Sequence, residues 1–147
     1  MRALGIDLGS KRIGVALANS EGTVATPYEV VARSGSRTRD HARIATLAEE
    51  AGAVCLVVGL PLSLDGTVGP AATAALAEAT EIGEATGLPV VTWDERFTTV
   101  TADQYLMTQH LKADARRRVV DKVAAAIMLQ GWLDHRRLGA ANQECDR

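Results

Sequence analysis

Six consecutive apolar residues, Ala53-Val54-Cys55-Leu56-Val57-Val58, run up to Gly59 without the alternation of a half-exposed strand. A strand of that kind is covered on both faces, as parallel strands are when helices flank their sheet. Parallel neighbours need crossovers, and the sequence supplies a helix on either side. Asp40 to about Ala51 carries Ile44, Leu47 and Ala48 as its apolar stripe, with Asp40 as the expected cap and Gly52 as the stop. Pro70 to Thr86 is an Ala-rich helix with proline in its first turn and Gly87 at its end, after which Leu88 to Trp93 returns as a second parallel strand.

Upstream, Arg2 to Ala18 reads as two short strands joined at Gly9-Ser10-Lys11-Arg12, and Thr23 to Val31 as a third, with Pro27 on an edge or bulge. Downstream, helices are expected over Val100–Gln109 and Val120–Arg137, separated by a polar, basic connection from His110 to Arg118. A meander followed by two right-handed crossovers predicts an α/β fold with a five-stranded mixed sheet, the first strand central and the Leu88 strand two places away, about 9.6 Å at about 4.8 Å per strand. The 147 residues fit one domain, placed at 1–138, with a polar, unpatterned tail at 139–147.

Composition removes several classes. No run of about 18 apolar residues and no leader pattern is present, so the expectation is a cytoplasmic protein with no membrane partner. Cys55 is expected in the core and Cys145 in the tail, with no disulfide framework. His41, His110 and His135 lack zinc spacing and are expected at surfaces or helix ends. The net charge of -2 excludes coating of nucleic acid by bulk charge. Its distribution says more: Arg33, Arg37, Arg39 and Arg43 crowd one connection, Lys112, Arg116, Arg117, Arg118 and Lys122 another, and Glu78, Glu81 and Glu84 line a separate helix. That pattern favours a local footprint for a polyanion over its alternative, a set of solvated helix faces.

Three acids stand where the local pattern does not need one. Asp7 follows Leu4 and Ile6 on the other, small-residue face of the first strand; its bland role is to cap the turn at Gly9. In Asp94-Glu95-Arg96-Phe97-Thr98-Thr99 the threonines can cap the next helix, which leaves Glu95 unexplained. Asp121 shares a helix face with Ala125, Met128 and Trp132, and its bland role is a favourable charge in the first turn. The sheet order brings the ends carrying Asp7 and Glu95 to one edge. Three carboxylates there would repel unless a cation joined them, and oxygen ligands without His or Cys select Mg²⁺ or Mn²⁺. Such an ion serves phosphodiester hydrolysis.

Gly5-Ile6-Asp7-Leu8-Gly9-Ser10-Lys11-Arg12-Ile13-Gly14-Val15-Ala16, Gly59-Leu60-Pro61 through Asp65-Gly66-Thr67, Asp94 to Thr99, and Val120-Asp121-Lys122 with Ala124, Ala125 and Leu129 resemble, in order and over nearly the whole chain, the YqgF/RuvX family. That family is similar to the RuvC-type Holliday junction resolvases. The resemblance implies a ribonuclease H-like fold and a metal-dependent nuclease acting on the 5′ end of pre-16S rRNA or on four-way DNA junctions. It implies Asp7, Glu95 and Asp121 as catalytic metal ligands for Mg²⁺ or Mn²⁺, and Ser10, Lys11, Arg12, Asp65, Arg96, Thr98, Thr99 and Lys122 at the substrate. Two departures from the RuvC-type pattern stand out: no second acid lies one turn from Asp121, and Glu95 leaves the fifth strand rather than the fourth. Asp65 is the substitute if Glu95 does not reach.

Two other readings use the same residues. Gly5 to Ser10 also resembles the phosphate loop of actin-like and sugar-kinase-like phosphotransferases, which need two such domains. The basic connections would also suit a non-catalytic protein docking on RNA or the ribosome. Cleavage of both strands of a junction calls for a two-fold homodimer, whereas trimming of RNA works as a monomer.

Overall fold

Alternation in the first strand divides the molecule into two layers. In the computed structural model, which describes residues 2–61, 69–94 and 113–137 with side chains of the last segment from 123 to 136, Ala3–Leu8 is β1, Arg12–Ala18 β2 and Ala25–Ala32 β3. Arg37–Ala51 is α1, Cys55–Leu60 β4, Pro70–Thr86 α2, Val90–Asp94 β5 and Ala113–Arg137 α3. The strands form one sheet in the order β3-β2-β1-β4-β5. Its first three strands are antiparallel, while β1, β4 and β5 are parallel and end on one edge. The expected mixed sheet with β1 at its centre is therefore present.

Leu4 and Ile6 of β1, Ile13 and Val15 of β2, and Leu56 and Val58 of β4 pack with Ile44 and Leu47 of α1 and Ile82 of α2. Ala3, Ala16, Ala18, Cys55 and Val57 face the other way, under Ala125, Met128, Leu129, Trp132 and Leu133 of α3. Gly5 marks how close that helix comes: a Cβ added there would lie 2.9 Å from Leu129 Cβ. At the far edge, the ladder between β2 and β3 slips between Val15 and Ala16, and Pro27 pairs with Ala16 beside that slip. The proline thus sits at a bulge in an edge strand, where a missing donor is tolerated.

Several local expectations shift. The cap of α1 is Ser36, whose hydroxyl accepts from the Arg39 amide, four residues before the expected Asp40. Asp40 instead lies in the first turn, buried, where it accepts from the Ser34 amide at 3.0 Å and hydroxyl at 2.8 Å. Gly52 and Gly87 end α1 and α2 at φ 68° and 71°, as their sequence positions require. The last helix starts at Ala113, absorbing most of the expected connection, because Ala113 to Arg118 contains good helix formers and no breaker. Cys55 is fully buried, as expected. The helix expected over Val100–Gln109 and the tail at 139–147 lie outside the described residues.

Candidate functional site

Asp7 stands at the edge where β1, β4 and β5 end. Across β2 it pairs with Gly14, and one residue beyond the last β1–β4 pair, Ile6 with Val58, it is level with Gly59. Both neighbouring strands therefore present a glycine beside the carboxylate on the face that Gly5 shares with α3. The gap holds a half-buried acid with no hydrogen bond or ion pair among the described residues. An acid removed from bulk water without a partner is costly, so its environment suits a ligand that carries positive charge.

The capping role for Asp7 does not hold. The β1–β2 turn is closed by main chain alone, the Gly9 amide donating to Arg12 O at 3.0 Å. Gly9 is required there, since an added Cβ would sit 2.5 Å from Arg12 O. The turn exposes Ser10 and Lys11, and Arg12 is half-buried at the start of β2.

The direction of α3 follows from Gln130. Its side chain accepts from the Ala25 amide at 2.8 Å and donates to Thr23 O at 2.9 Å, both at the sheet edge where β1 begins. With Leu129 and Ala125 over Gly5, the earlier turns of α3 run toward the edge where β1 ends. Asp121 occupies a position one turn before Ala125 on that helix, a step of about 6 Å matching about two strand residues. The side chains of Asp121 and Lys122, and residues Asp65, Glu95, Arg96, Thr98 and Thr99 entirely, lie outside the described set. Asp94, the residue before Glu95, pairs with Leu60 at the same edge.

For the first basic cluster the expected separation from the acidic helix does not hold, while the side chains of the second, Lys112 to Lys122, lie outside the described set. Arg33 donates both terminal nitrogens to Glu78 at 2.9 Å each, and Arg37 lies 3.8 Å from Glu78 and 3.4 Å from Glu81. Helices α1 and α2 pack side by side on one face, which brings the two sets of charges into register. His41, expected at a surface, is buried between them, with Nε2 at 2.7 Å from Glu78 Oε2. Burial pushes the Glu78 carboxyl up, but the bonds from Arg33 and His41 and the charge of Arg33 together hold it below its ordinary value. The signal for this cluster was available: Glu78 interrupts the buried stripe of Ala72, Ala75, Ala79 and Ile82 as Asp121 interrupts that of α3.

Ser10, Lys11, Arg33, Gly35, Arg37 and Asp40 line an open cleft of about 410 Å³ between the turn and the start of α1. Lys11 is its exposed cation with no partner among the described residues. An acid with no partner among the described residues, beside a turn that presents a hydroxyl and a cation, can hold a divalent ion and receive a phosphate.

Comparison with known proteins agrees. A family model described as RuvX, Holliday junction resolvase, matches residues 1–135. A protein of Symbiobacterium thermophilum named "Putative pre-16S rRNA nuclease" is 43% identical over 136 residues, covering 92% of this chain and 94% of its own. One of the same name from Myxococcus xanthus is 42% identical over 137 residues, covering 93% and 90%. Thermus thermophilus RuvC in complex with a Holliday junction substrate superposes with a TM-score of 0.58 at 20% identity, over 97% of this chain and 99% of that one. At that identity the likeness speaks for the fold, and it is the ribonuclease H-like fold the sequence pointed to.

Proposed function

Because the chain belongs to the RuvX family, we propose that it is a metal-dependent nuclease working at the Asp7 edge of the sheet. The observation that carries this is the carboxylate of Asp7, half-buried between Gly14 and Gly59 and without a partner among the described residues. Its oxygen chemistry and open surroundings fit Mg²⁺ or Mn²⁺, with Glu95 and Asp121 as the further ligands and Asp65 held in reserve for Glu95. When bound, such an ion polarises a phosphoryl oxygen and lowers the pKa of water, the requirement for attack on a phosphodiester. The chain's own residues do the rest. Ser10, Lys11 and Arg12 hold the backbone phosphate from the β1–β2 turn, while Arg96, Thr98, Thr99 and Lys122 line the remaining substrate path. Hydrolysis in this arrangement leaves a 5′-phosphate.

The relatives' names point to pre-16S rRNA and the family's description to Holliday junctions; in this reading the RNA is cut at its 5′ end by a monomer, or a four-way DNA junction by a two-fold homodimer. Work on precursor ribosomal RNA would be cytoplasmic. No described helix is long and apolar enough to cross a membrane. Residues 1–138 form the nuclease domain in this reading, and 139–147 its tail. The docking alternative loses Arg33 and Arg37 as free cations, since Glu78 and Glu81 engage them. The phosphotransferase alternative has no support from a family match that spans 1–135.

The test is cleavage of a labelled four-way DNA junction and a labelled pre-16S leader, side by side, with Mg²⁺ or Mn²⁺. Wild type is expected to cut at least one and Asp7→Asn neither. Binding of both without cleavage by wild type would overturn the catalytic reading.

A further inference from the structure

We propose that Arg33 and Glu78 are a positioning pair for the β1–β2 turn, setting where Ser10 and Lys11 meet the substrate without touching it themselves. The role given to the turn rests on the nuclease reading; the geometry of the pair does not. Arg33 leaves β3 and meets the turn twice. Its amide donates to Lys11 O at 3.0 Å, and its Nε donates to Gly9 O at 2.7 Å. These two bonds flank the turn's own bond from the Gly9 amide to Arg12 O. The remaining two nitrogens of the guanidinium are fixed by Glu78 of α2 at 2.9 Å each. Glu78, 6% exposed, is held in turn by His41 of α1. Three separate elements thus converge on one turn through one planar side chain.

Stability alone does not account for an acid at this place. Its neighbours on the buried stripe of α2 are Ala75, Ala79 and Ile82, and a buried ion pair is commonly replaced by apolar residues at no cost in stability. What an apolar pair does not supply is direction. The fork of Arg33 has a fixed plane, so with two nitrogens set by the carboxylate the third points along a determined line to Gly9 O. Asp7 lies two residues before that carbonyl and Lys11 two after it, so a shift of the turn moves the exposed cation relative to the acid.

The full-length protein is tested as wild type, Glu78→Gln, Arg33→Lys, Lys11→Ala and each of the first two combined with Lys11→Ala. Two quantities are read: amide hydrogen exchange across residues 9–12, and affinity for the four-way junction and the RNA leader without divalent metal. Glu78→Gln and Arg33→Lys are each expected to speed exchange in the turn while central β1 and β4 amides keep their protection. They should weaken binding about tenfold, the lower end of what supporting partners of a site contribute. In the Lys11→Ala background that loss should shrink or vanish, because the cation being positioned is gone. Unchanged exchange in the turn overturns the proposal. So does faster exchange throughout the protein with losses that simply add to that of Lys11→Ala, the signature of a merely structural pair. If Glu78→Gln does not fold, Arg33→Lys decides by the same readouts. If wild type binds neither nucleic acid, the nuclease reading falls and turn exchange alone decides the positioning pair.

Discussion

The two faces of the sheet solve packing in opposite ways. Toward α1 and α2 the strands contribute Leu4, Ile6, Ile13, Val15, Leu56 and Val58, and the helices add Ile44, Leu47 and Ile82. Toward α3 the strands contribute Ala3, Ala16, Ala18, Cys55 and Val57, and the bulk comes from the helix, in Met128, Leu129, Trp132 and Leu133. A face of large strand residues fills itself and leaves no room for chemistry. A face of small ones lets a helix approach until Gly5 touches Leu129, and at the end of β1 the strands contribute only Gly14 and Gly59 beside the acid, which leaves a gap within the sheet face. Asp7 occupies that gap. The division of labour is between a face built for cohesion and a face built for access.

Substitutions on the two faces should therefore fail differently. The largest expected effect is on the access face: Asp7→Asn should lower cleavage by more than about 100-fold, beyond the 10- to 100-fold scale of mere supporting residues around a metal. Its unfolding midpoint in urea should stay at or above that of wild type, since a half-buried charge with no partner among the described residues is removed. A large loss of stability in Asp7→Asn would break the comparison. On the cohesive face, Ile44→Ala should cost about 2–5 kcal/mol in denaturant unfolding, with cleavage by the folded fraction unchanged. Gly5→Ala falls between, forcing α3 off the sheet at a cost of about 1–3 kcal/mol. Combining it with Leu129→Ala should recover part of that loss, and a fully additive double variant would show that the close approach does not matter.

The gentlest probe is acid. The folded-state pKa of Glu78 lies below its ordinary 4.5, so the unfolded chain takes up the proton first as pH falls. Its contribution to stability is full above about pH 4.5 and is lost as pH drops through the lowered folded value. Urea unfolding of wild type should therefore weaken in that range, and Glu78→Gln should remove this part of the slope. An unchanged slope would mean that Glu78 is not the group responsible.

What the sequence made legible follows the periodicities. The apolar run into Gly59 and the Ala-rich helix from Pro70 to Thr86 could each be read because burial on two faces, or on one stripe, leaves a fixed spacing. Asp7 was legible as an acid among small residues. The glycines on both sides of it were not, because Gly14 and Gly59 become its neighbours only through strand register. The pairing of Arg33 and Arg37 with Glu78 and Glu81 was missed for a related reason. Charges more than forty residues apart look like two opposed surfaces until helix packing sets them face to face. Ser36 displaced Asp40 as the cap because either residue type can cap, and only the position of the first turn decides.

The bulge at Pro27 carries a consequence for how copies of this chain meet. An open sheet ends in a row of unsatisfied donors and acceptors that recruits further strands and, unchecked, leads to aggregation. At β3 the row is broken, since Pro27 has no amide to donate and the ladder slips beside it. A strand added along β3 would therefore find no amide donor at Pro27 and a slipped ladder beside it.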